Sequence, residues 1–355
     1  MNAPSLWLHS RRYDMFWYAV VPVLLFLALG GLSLLLGPRG PLTAYLASAV
    51  LTGLPHNMIT WLLLLPRESR GYYQSGVLFG PFVLTALVMV PTILLYGTPA
   101  FAWAISLNIG IAYYHITRQH MGMLNACDGR YQQVTGDQSI RALGEDMRWA
   151  IAGIAATAFA WKMTGGPMLL GLFAEPMRFV LQPIPAWIAM ALTLATAVPV
   201  ARLLFKVMAR HFAGMRFPAA HALLGGGAAA NLIAASLVPN DQFFLTLALV
   251  GSYHNLQYFA FCYTHHHLRA VSEPAADDPY SNWARARHWA PWFLLPLGLG
   301  VAFGVATSLV PPFWGTVLAT WFMTSPYFVD GHMWRRKYYP RMGRFSSGVV
   351  QPAGP

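Results

Sequence analysis

From Met15 to Leu36 the chain carries no charged residue, and long apolar stretches recur along most of its length. A helix of about 20 apolar residues spans the roughly 30 Å hydrocarbon core of a bilayer. In lipid, each backbone polar group must also be satisfied within the spanning structure itself. These runs therefore predict an all-α fold, a polytopic transmembrane helix bundle of about ten spans. The expected spans are 15–36, 42–65, 77–95, 100–123, 147–163, 184–204, 219–237, 242–263, 290–309 and 313–328. Segment 165–183 reads as a candidate interfacial helix. Composition agrees: 56% of residues are hydrophobic and 10% are charged, against about 25% charged in a soluble globular protein. The chain reads as a single integral membrane domain, 1–355. Its cytoplasmic loops are expected at about 124–146 and 268–288, with a basic C-terminal tail at 332–355. No internal repeat is visible, which argues against an inverted-repeat transporter.

Charge placement orients the bundle. Of the 23 lysines and arginines, all but Arg39, Lys162 and Arg178 fall on one side of the expected spans. The positive-inside rule makes that side cytoplasmic, places both termini there, and gives a multi-pass protein of an inner membrane. The net charge of +11 then faces anionic membrane lipids, and no nucleic acid is implied. Arg11 and Arg12 precede an apolar run without a cleavage pattern, so the first span reads as a retained anchor. Cys127 and Cys262 form no CxxC and no disulfide framework.

The twelve histidines are distributed unevenly on this topology. None maps to the side opposite the cytoplasm. His56, His115 and His254 lie at similar depth, roughly 12–15 Å inside their helix ends at 1.5 Å per residue. A shallower tier holds His120, His265, His266, His267 and His332, with Asp330 as a neighbour. His9, His211 and His288 read as solvated, and His221 opens the seventh span. Ionisable groups inside a span are expensive and mark function by default. Neutral imidazole is the commonest ligand of zinc, iron and copper, and imidazoles from several helices at one depth can build a metal site in a bundle core. His254 and His265 are about 16 Å apart along one helix, which separates the tiers unless a helix unwinds. No carboxylate is placed at the depth of the first three histidines, which argues against a carboxylate-bridged di-iron bundle. Tyr113, Tyr114, Tyr253, Asn57, Asn255 and Gln257 are polar neighbours able to orient imidazole N–H groups. Tyr114, Asn255 and Gln257 are the candidates for a catalytic role. HExxH, GxSxG, P-loop and CxxCH motifs are absent.

An apolar chain with cytoplasmic-side histidines resembles the membrane histidine-cluster iron oxygenases. These include the fatty-acid desaturase and hydroxylase group and the Brp/Blh-type β-carotene dioxygenases. The sequence GLPHN at 53–57 is similar to the Pro-His step in an early span of the Brp/Blh-type proteins. By that resemblance His254 and His265 or His266 fill the role of further iron ligands. The desaturase-type HxxxH and HxxHH boxes are replaced here by HxxxxH at His115 to His120 and by the HHH run. The resemblance implies an O2-dependent oxidoreductase, mono- or dioxygenase or desaturase, holding one or two iron ions. Its substrate would be a carotenoid, isoprenoid or fatty-acyl lipid entering from the bilayer, with an electron donor at the cytoplasmic face. A haem- or metal-handling transporter and a zinc-dependent membrane hydrolase are the alternatives, with haem or zinc in place of iron.

Overall fold

The computed structural model describes residues 7–64, 101–164, 184–215, 218–272 and 289–311 continuously, with parts of 83–98, 168–179, 282–286 and 314–330. Most of the third expected span lies outside the described residues, as do His288 and His332 and the side chain of His265.

The described chain is helical almost throughout. We label its helices α1 (Arg11–Leu35), α2 (Gly40–Ser48), α3 (Leu54–Leu64), α4 (Phe101–Thr135), α5 (Ile140–Thr164), α6 (Ala186–Phe212), α7 (Ala219–Ser236), α8 (Phe243–Ser272) and α9 (Trp289–Ser308). Four are long and apolar enough to cross a membrane: α1, α6, α7, and α9 from Ala290. Helix α8 has the length, with 30 residues. Its polar residues, including Ser252, His254, Asn255 and Gln257, are buried, so it is a helix enclosed by protein. The segment read as an interfacial helix differs. In its described residues Met168 pairs with Phe179 and Leu169 with Arg178 in a short antiparallel ladder.

The polar loop expected at 124–146 is also mostly helical. Helix α4 runs on to Thr135, and α5 begins at Ile140. The reason is a sparse apolar stripe that a polar composition hides. Tyr131, Ile140 and Leu143 are buried together against Leu203 and Val207. Gly136, at φ 71°, ends α4 in the left-handed conformation that glycine adopts without a Cβ penalty. Asp137 then accepts hydrogen bonds from Ser139 and from Arg210.

Contacts divide the chain into two sets of segments, whose boundaries among the described residues fall inside α2, α4 and α8. The first set contains α1, α4 from Ile116, α5, α6, α7 and α8 to Gln257. Helices α5 and α6 pack closely through small residues: Thr157 and Thr196 share a hydroxyl hydrogen bond at 3.0 Å, and a side chain on Gly153 would strike Thr196. Small residues let backbones approach where dispersion and polar contacts, rather than the hydrophobic effect, hold helices together. Buried carboxylates tie the helix ends. Asp146 pairs with Arg202 and Lys206. Asp128 pairs with Arg148 at 2.6 Å, and His221 Nδ1 lies 2.8 Å from its other oxygen. His221 is thus a buried pairing residue.

The second set contains α3, α4 to His115, α8 from Tyr258, α9 and the helical residues up to Asp330. Helix α2 passes into α3 through a π-helical turn, Ala49–Gly53. Pro55 has no N–H to give the preceding turn and its ring crowds that turn's carbonyl, so a wider turn at this point relieves both problems. Helix α9 lies close to α3 at Gly300, part of a Gly300–Gly304 pair with GxxxG spacing. A Cβ on Gly300 would come within 2.9 Å of Leu54 Cβ and 3.1 Å of Pro55 N. The residue before His56 is therefore fixed by backbone packing.

Candidate metal centre

Proline and glycine set the height of His56 on α3, and α4 carries His115. Both imidazoles are buried, with ring centroids 6.3 Å apart and planes at 77°. Their Nε2 atoms face one carboxylate oxygen, Asp330 Oδ2, at 4.0 Å and 3.9 Å. His56 also packs against the Tyr258 ring, centroid to centroid 4.4 Å. The Tyr258 hydroxyl donates to Asp330 Oδ1 at 3.0 Å, and the Thr60 hydroxyl donates to the same oxygen at 3.0 Å.

His254 is buried one helical turn before Tyr258 on α8. One ligand nitrogen from each of His56, His115 and His254 lies within 4.8 Å of the others. Among the described residues this is the one set of three or more metal-ligating side chains so arranged. The cluster could hold a metal ion. Donor chemistry and dryness fit one: neutral imidazoles bind zinc, iron or copper at about 2.0–2.1 Å, and water is excluded from all three side chains.

The remaining sequence candidates are placed as follows. His120 is buried with its ring 5.4 Å from that of His254 and 6.0 Å from Tyr253. The Gln257 amide donates to the Tyr253 hydroxyl. Asn255 is buried on the same helix. Tyr114 is 66% exposed, and the buried tyrosine of that pair is Tyr113. His266 is buried against Trp292, rings 6.2 Å apart, and His267 stacks on Tyr263. Neither belongs to the imidazole cluster, and twelve residues of helix put His266 about 18 Å along α8 from His254.

One expectation is overturned. A carboxylate does reach the depth of His56 and His115: Asp330 is 2% exposed and faces both. The apolar run of the last span stops at Phe328, but helical residues continue to Asp330. Sequence reasoning also missed Thr60 and Tyr258. Their signal was positional, since each lies four residues after a deep histidine and so on the same helix face.

Compared with known proteins, the chain matches no family model, no curated protein and no solved structure.

Proposed function

We propose that the protein is a membrane-embedded non-haem iron oxygenase acting on a lipophilic substrate such as a carotenoid, isoprenoid or fatty-acyl lipid. The observation that carries this reading is the buried imidazole cluster of His56, His115 and His254 in a chain with four helices apolar enough to cross a membrane. Neutral nitrogen donors leave the charge of a redox metal largely intact and leave positions open for O2 and substrate. When bound, iron supplies O2 activation, leading to polyene cleavage, hydroxylation or desaturation. The chain's own residues supply the surroundings: dry walls, imidazoles fixed by helix packing, and Gln257 and Tyr253 beside His120. A substrate of this class already resides in the bilayer and needs no aqueous route. In this reading the protein is a ten-span inner-membrane protein with both termini cytoplasmic, and its electron donor docks on the basic cytoplasmic face.

The test is oxygen uptake by the purified protein in lipid nanodiscs loaded with iron and offered a carotenoid or a fatty-acyl lipid, with reductant. Substrate-dependent O2 consumption with an oxygenated or desaturated product supports the reading. A Soret band in the purified protein points to haem handling. Zinc as the sole bound metal, with no O2 uptake, points to the hydrolase.

A further inference from the structure

The proposed function uses three imidazoles and gives the nearby carboxylate no part. We propose that Asp330 is a further ligand of the same metal centre, through Oδ2 alone, and that Thr60 and Tyr258 are the residues that position it. This rests on the metal-site reading above.

The two oxygens of Asp330 differ in their surroundings. Oδ1 accepts from Thr60 at 3.0 Å and from Tyr258 at 3.0 Å. Each hydroxyl has one proton to give, and a carboxylate oxygen has about two lone-pair sites, so Oδ1 is fully used. Oδ2 points at the imidazoles, 4.0 Å from His56 Nε2 and 3.9 Å from His115 Nε2. Those distances are too long for hydrogen bonds, which end near 3.2 Å for N–H···O. They are about twice the 2.0–2.2 Å of a metal bond to nitrogen or carboxylate oxygen. Oδ2 thus faces each of the two nitrogens across a gap about one ion wide.

Burial supports the same assignment. Asp330 is 2% exposed, and a buried carboxylate persists where it is paired or coordinates a metal. The positioning residues are themselves anchored to ligand-bearing helices. Thr60 is one turn after His56 on α3, and its hydroxyl lies 3.3 Å from that of Tyr258. The arrangement would hold the Oδ2 lone pair on the metal and prevent bidentate binding, which keeps a coordination position open. It also gives the centre one negative charge, so the ligand set is mixed imidazole and carboxylate, a set suited to iron and zinc.

Cobalt(II) alone is the probe, because its visible bands report ligand number and type without turnover. The full-length protein in nanodiscs is stripped of metal and titrated with cobalt(II). Wild type should bind with a defined visible spectrum. Asp330→Asn should change that spectrum and weaken binding at least tenfold. Tyr258→Phe and Thr60→Val should each weaken it about tenfold, the low end for loss of an outer-shell partner. His56→Ala should abolish the wild-type spectrum. If His56→Ala loses the spectrum while Asp330→Asn keeps both spectrum and affinity, the Asp330 proposal is overturned and the imidazole site stands. If His56→Ala binds like wild type, the metal-site reading fails and takes this proposal with it. Should Asp330→Asn fail to fold, Tyr258→Phe decides, and an unchanged spectrum and affinity there overturn the proposal.

Discussion

Gly300→Ala tests whether backbone packing sets the position of His56. The new Cβ would sit 2.9 Å from Leu54 Cβ, 3.1 Å from Leu54 C and 3.1 Å from Pro55 N. Ordinary carbon contacts begin near 3.5 Å, so α9 and α3 must part by about 0.4–0.6 Å. Two of the three clashing atoms belong to the backbone, and no rotamer change relieves them. Overpacking of this kind costs about 1–3 kcal/mol. The displaced residue, Pro55, is bonded to His56, so the strain is passed directly to a metal-site imidazole. Gly298→Ala on the same helix is the control, because nothing lies within 4 Å of a Cβ there. Alanine should be about 0.5–1 kcal/mol better than glycine inside that helix. Thermal unfolding in detergent, followed by tryptophan fluorescence, should place Gly300→Ala below wild type and Gly298→Ala at or above it. Cobalt(II) affinity should fall for Gly300→Ala alone. A Gly300→Ala protein that is as stable and binds metal as tightly as Gly298→Ala would refute the close approach of α9 to Leu54 and Pro55.

Three other outcomes are expected of the packed helices. Asp128→Ala removes the partner of Arg148 and of buried His221; it should cost about 3–5 kcal/mol in denaturant unfolding, and a loss below about 1 kcal/mol contradicts the pairing. Burial raises the Asp137 pKa, but hydrogen bonds from Ser139 and Arg210 and the Arg210 charge outweigh it, leaving the value below 3.8. A depressed carboxylate stabilises the fold above its unfolded pKa and loses that contribution as pH falls through the folded value. The stability gap between wild type and Asp137→Asn should therefore be constant above about pH 5 and shrink as pH falls below 3.8; a gap that does not shrink below pH 3.8 contradicts the ion pair. Tyr114→Ala should leave bound metal unchanged, since that side chain is 66% exposed, and metal loss in this variant would show that the ring supports the site.

The depth of the site was legible in the sequence because helix rise is fixed. Counting residues from the helix ends put His56, His115 and His254 at one level, and their ligand atoms do come together. Asp330 was missed because hydropathy marks where apolar residues stop, not where a helix stops. The helical character of 124–135 was missed for a related reason: the few apolar positions that bury Tyr131, Ile140 and Leu143 are diluted by exposed polar residues. Neither the exposure of Tyr114 nor the pairing of His221 with Asp128 could be read from spacing. Both depend on which neighbouring helix covers which face, and that is decided by close approaches such as Gly144 against Asp128, where a Cβ would strike the carboxylate.

Metal content is the most direct test of the central claim. The full-length protein is purified without chelators, and its metals are measured by mass spectrometry alongside an optical spectrum, for wild type and for His56→Ala, His115→Ala and His254→Ala. The account predicts iron in the wild type without a Soret band, and its loss from each folded variant. Metal content that is unchanged in all three variants would contradict it.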